Sequence, residues 1–156
     1  MEELSIRSVL NEQRIDLHLK GQTKDEVLDE MVDLLFKDSV LSSKEQFLKD
    51  VYYREGEGIT GIGDGIAIPH GKSDSVLHTA VAIGRSDHDL EWRSIDDKPV
   101  RLIIMLAIKS VDKTVHMKLL SNVATSLCQR DVIEQIFISE DKQEIIELFE
   151  QKGGKE

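Results

Sequence analysis

One cysteine, Cys128, occurs in 156 residues. A lone thiol excludes an intramolecular disulfide and a cysteine-based zinc cluster, and it fits a reducing cytoplasm. Long apolar runs are missing too. The longest, residues 102–108, has seven members, far below the roughly 20 that a membrane-spanning helix needs. The opening MEELSIRSVL carries acid where a secretory signal needs a basic flank, so neither a signal peptide nor membrane insertion is expected. Basic clusters are lacking: 20 Lys and Arg face 30 Asp and Glu, for a net charge of −10. A nucleic-acid binder would need a basic patch to neutralise phosphates, so nucleic acid is not expected as a partner. The acidity favours solubility without naming a partner. Internal repeats, low-complexity blocks and linker-like stretches are absent as well.

What is present reads as one domain over residues 1–150 with a frayed tail at 151–156. Hydrophobic residues make up 40% and charged residues 32%, enough for a real core. Residues 14–19 alternate apolar and polar as a short strand. Thr23-Lys24-Asp25-Glu26 fits a capping box before Val27, Met31, Leu34 and Leu35, and Ser43 can cap a second helix carrying Phe47, Val51 and Arg54. Five glycines between 56 and 65 break the chain into a loop. Residues 66–68, 79–83 and 100–108 are strand candidates, the last apolar on both sides and so central in a sheet. Helical periodicity begins at Lys113 and continues through 131–138 and 140–149. Strands interleaved with helices predict an α/β layered domain with a parallel or mixed sheet.

The segment GDGIAIPHGKS at 63–73 carries the chemistry. Its Gly71-Lys72-Ser73 invites a P-loop reading, which requires four residues after the first glycine. Five separate Gly65 from Gly71, three of them strand formers, and Pro69 has no N–H to offer a phosphate. Gly61, Gly63 and Gly65 do not fit the GxGxxG spacing either. Strand, proline, histidine, glycine remains: Pro69 is expected to end the strand and to leave His70 where the chain exits the sheet. Gly71 would leave room for another surface to approach the ring. An imidazole of ordinary pKa about 6.5 is mostly neutral at pH 7 and can act as a nucleophile without a separate base. A turn histidine without a role is the alternative.

Thr60-Gly61-Ile62-Gly63 through Gly65-Ile66-Ala67-Ile68-Pro69-His70-Gly71-Lys72 resembles the active-site signature of the enzyme IIA domains of the bacterial sugar phosphotransferase system, fructose/mannitol class. The likeness extends over Arg54-Glu55, Ala82-Ile83-Gly84-Arg85-Ser86, Trp92, Lys98-Pro99-Val100 and His116-Met117-Lys118-Leu119-Leu120, and the fructose-specific type is most similar. It implies a three-layer α/β sandwich with a mixed, mainly parallel sheet flanked by helices on both faces. It also implies that His70 takes a phosphoryl group from phospho-HPr and passes it to a cysteine of enzyme IIB, the partner of a membrane enzyme IIC. No cofactor or metal is implied. A nitrogen-type regulatory enzyme IIA, acting by phosphorylation-dependent protein binding, is the alternative within the resemblance.

The resemblance makes His116, at the start of a helix, the second active-site histidine, stabilising the phosphoryl group; otherwise it is a half-buried helix histidine. The family often has an acidic residue before this histidine, whereas Thr114-Val115 precede it here. The resemblance likewise makes Arg54 the candidate cation beside phosphohistidine; otherwise it is a helix-end arginine paired with Glu55 or Glu57. Thr60 either hydrogen-bonds a phosphoryl oxygen or caps its loop. Cys128, following Leu127 on a helix, is expected to be buried as a small hydrophobe. Two proteins must reach His70 in turn, so a shallow site is expected.

Overall fold

The computed structural model describes residues 6–111 and 113–153, without the side chains of 113, 115–117 and 151–153. The chain divides into two compact units, residues 13–110 and residues 1–12 with 111–156. The larger holds a six-stranded mixed sheet in the order β1-β5-β6-β3-β2, with β4 also paired to β6. The strands are β1 Ile15–Leu19, β2 Gly61–Gly63, β3 Ile66–Ala67, β4 His70–Ser73, β5 Ala80–Leu90 and β6 Val100–Lys109. Three pairings are parallel (β1–β5, β3–β6, β4–β6) and two antiparallel (β5–β6, β2–β3). The α/β class and the mixed sheet are as the sequence predicts. Strand β6 is central, and from Leu102 to Ile108 each of its residues is 0% exposed, as a run apolar on both sides requires.

Helices α1 (Lys24–Lys37) and α2 (Lys44–Glu57) form where the caps predict. Thr23 Oγ1 accepts from Glu26 N–H at 3.1 Å, and Ser43 Oγ accepts from Gln46 N–H at 3.0 Å. The two run antiparallel, for Lys24 near the start of α1 meets Glu55 near the end of α2. Val27, Leu28, Met31 and Leu35 of α1 join Phe47 and Val51 of α2 in a core with Ile103, Met105 and Ala107 of β6. Each large apolar side chain buried this way contributes about 1.5–3 kcal/mol.

Three strand expectations need correction. Strand β5 runs to Leu90 rather than stopping near 83, because the polar Arg85 and Ser86 are buried at 5% and 3% exposure and continue the pairing, Arg85 opposite Leu102 of β6 and Ser86 opposite Leu19 of β1. Part of the glycine loop is not loop: Gly61–Gly63 is an edge strand joined to β3 by a two-residue turn at Asp64-Gly65, both with positive φ (57° and 79°). Aspartate-glycine is the pair such hairpin turns favour. Pro69, finally, interrupts its strand without ending it. Ile66 lies opposite Leu102 and His70 opposite Leu106, in one unbroken register. Proline cannot donate, yet its carbonyl still accepts from Leu106 N–H at 3.1 Å, and the ladder resumes at His70.

The smaller unit contains helices α3 (Lys113–Ser126), α4 (Arg130–Ile138) and α5 (Lys142–Gly153). Helix α5 packs on α3 and on the 3-10 turn Ile6–Ser8, where Arg7 Nε donates to Glu150 at 2.9 Å. The expected tail at 151–156 is helical through Gly153, and 154–156 lie outside the described residues. Cys128 is exposed, against expectation. Helix α3 ends at Ser126, so Leu127 takes the buried place at 8% exposure and the turn carries Cys128 outward.

Candidate functional site

His70 opens β4, and its ring is held at both nitrogens. Nδ1 lies 3.0 Å from the carbonyl oxygen of Ile68, and Arg54 Nε lies 3.2 Å from Nε2. A guanidinium has donors only, so Nε2 must accept and is unprotonated; Nδ1 then carries the hydrogen and donates it to Ile68. The surroundings thus select one tautomer of a neutral ring and present Nε2 as the lone-pair nitrogen. Nη1 of Arg54 is buried without a partner. An unpartnered arginine donor on the group that faces Nε2 can bond an anionic oxygen there.

Helix α2 delivers that guanidinium through packing. Phe47, Val51 and Arg54 recur at helical spacing, so one face of α2 carries all three. At Gly71 an added Cβ would stand 3.0 Å from Phe47 Cε1 and 3.3 Å from Val51 Cγ2. The glycine therefore does not open a path for a visiting surface, as the sequence suggested. Its missing side chain admits α2 itself, and that approach brings Arg54 to His70.

The ring is also less open than a shallow site predicts. His70 keeps 8% of its surface, with Nδ1 turned to the Ile68 carbonyl and Nε2 faced by Arg54. Thr60, 4% exposed, is likewise committed. Its hydroxyl donates to Glu55 Oε1 at 3.1 Å and accepts from Trp92 Nε1 at 3.1 Å. Its one hydrogen is used, so it does not donate to a phosphoryl oxygen in this arrangement. Glu55 is not the partner of Arg54 either; its Oε1 pairs with Lys24 Nζ at 2.6 Å. His116 stands in the first turn of α3, in the smaller unit, and its side chain lies outside the described residues.

Lys24, Glu55 and Trp92 escaped the sequence reading as site neighbours. They are scattered along the chain and meet only through the fold; the sole hint was that Trp92 and Glu55 fell inside the resemblance. The β2–β3 hairpin beside them is fixed at its tip by Asp96, which accepts from Asp64 N–H at 3.1 Å. That backbone hydrogen bond, first among several contacts, holds the Asp96 carboxyl below the usual carboxylate range. Among the described residues no group of three or more His, Cys, Asp or Glu could hold a metal ion, and no helix is long and apolar enough to cross a membrane.

A sheet-borne histidine with Nδ1 committed to a carbonyl and an Nε2 lone pair facing a guanidinium can act as a nucleophile beside a cation able to stabilise negative charge. The chain belongs to the EIIA 2 family of the phosphoenolpyruvate-dependent sugar phosphotransferase system, whose model matches residues 8–152. It is 33% identical over 95% of its length to the "PTS system fructose-specific EIIABC component" of Bacillus subtilis, of which it spans 23%. It is 30% identical over 96% of its length to the "PTS system fructose-specific EIIA component" of Haloferax volcanii, spanning 97% of that protein. Among solved structures, the nitrogen regulatory protein IIA-Ntr of Neisseria meningitidis matches 91% of this chain and 97% of its own, at TM-score 0.85 and 27% identity. The enzyme IIA of the Escherichia coli mannitol system, solved in complex with phosphorylated enzyme IIB, matches 92% of this chain and 98% of its own, at TM-score 0.78 and 25% identity. The protein is therefore a phosphotransferase-system component of the fructose/mannitol class, with a phosphoryl-transfer role.

Proposed function

We propose that residues 1–150 form one phosphocarrier domain working in the cytoplasm. His70 accepts a phosphoryl group from phospho-HPr and hands it to the cysteine of enzyme IIB, the partner of membrane enzyme IIC. The observation that carries this reading is the pair of ring contacts at His70. With Nδ1–H on the Ile68 carbonyl, the Nε2 lone pair attacks phosphorus as the N–P bond of the donor breaks. The electron pair of that bond stays on the donor's nitrogen. If the donor ring arrives protonated it leaves neutral, and His70 becomes the cation, its Nδ1–H still bonded to Ile68. No proton need cross between the proteins. Onward transfer to a thiolate returns the pair to Nε2 and restores the neutral tautomer.

Arg54 covers Nε2, so phosphorus can reach it only when the guanidinium swings aside. Its flexible side chain allows the same Nε–H and the open Nη1 to follow the phosphoryl oxygens, a charge-assisted contact absent before transfer. His116 would add a donor from the first turn of α3, where free backbone N–H groups favour an anion. Exposed Tyr53, Ile59 and Ile62 flank Arg54 and Thr60 in sequence and offer apolar rim to transient partners.

The test is labelling. Wild-type protein incubated with phospho-HPr acquires one acid-labile, base-stable phosphate, and His70→Ala acquires none. Label retained by His70→Ala overturns the acceptor assignment. The likeness to IIA-Ntr favours a second reading, a regulator that binds other proteins according to its phosphorylation. Transfer from the labelled protein to a fructose-type enzyme IIB selects the carrier; retention of label selects the regulator.

A further inference from the structure

We infer that Lys24, Glu55, Thr60 and Trp92 form a closed polar circuit whose task is to aim Arg54 at Nε2 of His70; the inference rests on His70 being the acceptor. The circuit joins four separate segments. Lys24 Nζ pairs with Glu55 Oε1 at 2.6 Å, Glu55 Oε1 accepts from Thr60 Oγ1 at 3.1 Å, and Thr60 Oγ1 accepts from Trp92 Nε1 at 3.1 Å. Lys24 Nζ closes the loop 5.0 Å above the Trp92 ring centroid, within reach of a cation–π attraction. Its polarity has one solution. The indole N–H and the ammonium only donate and the ionised carboxylate only accepts, so the single threonine hydrogen must go to Glu55.

Three observations point from this circuit to the guanidinium. Glu55 follows Arg54 directly in the last turn of α2, so anchoring one fixes the helical phase of the other. Arg54 bonds His70 through Nε but is not clamped at Nη1, which is buried without a partner, so its aim leans on the backbone that carries it. Glu55 is itself held at a cost: its side chain is 7% exposed and Oε2 is buried without a partner. A half-satisfied buried carboxylate is a poor device for stability alone. These residues act through Arg54, so they are positioning residues.

The test uses the full, unphosphorylated chain first. Hydrogen exchange of the Arg54 Nε–H, followed by NMR, reports its bond to His70 without any phosphate donor. Thr60→Val keeps the shape and deletes the hydroxyl, and should speed that exchange at least tenfold. Thr60→Ser should restore the wild-type rate. Single-turnover transfer from phospho-HPr should then slow by roughly ten- to a hundredfold in Thr60→Val at saturating donor, with the half-saturating concentration unchanged. Trp92→Phe, which keeps most of the ring packing, should move both readouts in the same direction, so a folding failure of one variant leaves the other to decide. Unchanged Arg54 exchange in Thr60→Val and Trp92→Phe overturns the inference, as does slowed transfer with that exchange unmoved. A wild-type chain that takes no phosphate refutes the acceptor reading instead, while the exchange data still judge the circuit.

Discussion

Helices α1 and α2 are stitched together by lysine–carboxylate pairs at both ends, and the two ends differ in the burial of their carboxylates. At one, Lys24 meets Glu55 at 2.6 Å with side chains 28% and 7% exposed, and Thr60 and Trp92 complete the contact. At the other, Lys44 lies 3.3 Å from Asp33 and 3.5 Å from Asp29, which are 32% and 57% exposed. Water screens the second cluster and leaves its side chains free to separate, whereas the first is enclosed and has fixed directions. The same residue types are therefore directionally fixed at the site end and loosely held at the other.

Removing the enclosed carboxylate should have the largest effect. Glu55→Ala strips Lys24 of its partner and leaves the Thr60 hydroxyl hydrogen unbonded. A fully buried broken pair costs about 3–5 kcal/mol; Lys24 still reaches water, so about 2–3 kcal/mol is expected. Urea unfolding measures it, and the loss should persist in 1 M salt. A change below about 0.5 kcal/mol would make the two ends equivalent.

The contrast between these ends was invisible in the sequence, while the frame around them was not. Both helix caps, the buried centre at β6 and the histidine after Pro69 could be read locally, because each depends on neighbours a few residues away. The Asp64-Gly65 turn carried its own signal, yet a three-residue Gly-Ile-Gly strand has no apolar alternation to announce it. The polar half of β5 was missed for a related reason: Arg85 and Ser86 are buried by ladder position, which composition does not record. Pro69 does not end its strand because a missing donor costs one ladder bond and leaves the rest of the ladder intact. The circuit at Glu55 draws on residues from 24 to 92, and no local pattern brings them together.

Tyr52 offers an intermediate case at the site end, half-exposed rather than enclosed. Its hydroxyl donates to Asp25 at 2.8 Å, and partial burial first, then that carboxylate, push its pKa up to about 12. The neutral phenol is thus favoured in the folded chain. The sign follows: this stabilisation is complete below the ordinary tyrosine value of about 10 and is lost as pH climbs from there toward about 12. Absorbance titration near 295 nm should show one of the two tyrosines ionising late in the folded protein. Tyr52→Phe should delete that late phase, and Asp25→Asn should move it to lower pH. A single ordinary phase in the wild type would remove Tyr52 from the helix contact.

Lys44→Met should have the smallest effect, since it keeps the aliphatic stem and deletes only the charge. Exposed pairs of this kind contribute about 0–1 kcal/mol, and here a replacement partner is already in place. Lys37 Nζ sits 2.9 Å from Asp33, one turn along α1, and its hydrogen bond is the principal cause holding the Asp33 carboxyl below the usual range. Asp33 therefore keeps its main cation when Lys44 is lost. Urea unfolding should register no more than about 0.5 kcal/mol at low salt and nothing in 1 M sodium chloride, where the Debye length is about 3 Å. A salt-resistant loss of about 2 kcal/mol would mean that the exposed carboxylates hold Lys44 as firmly as the buried Glu55 holds Lys24, and carboxylate burial would no longer separate the two ends.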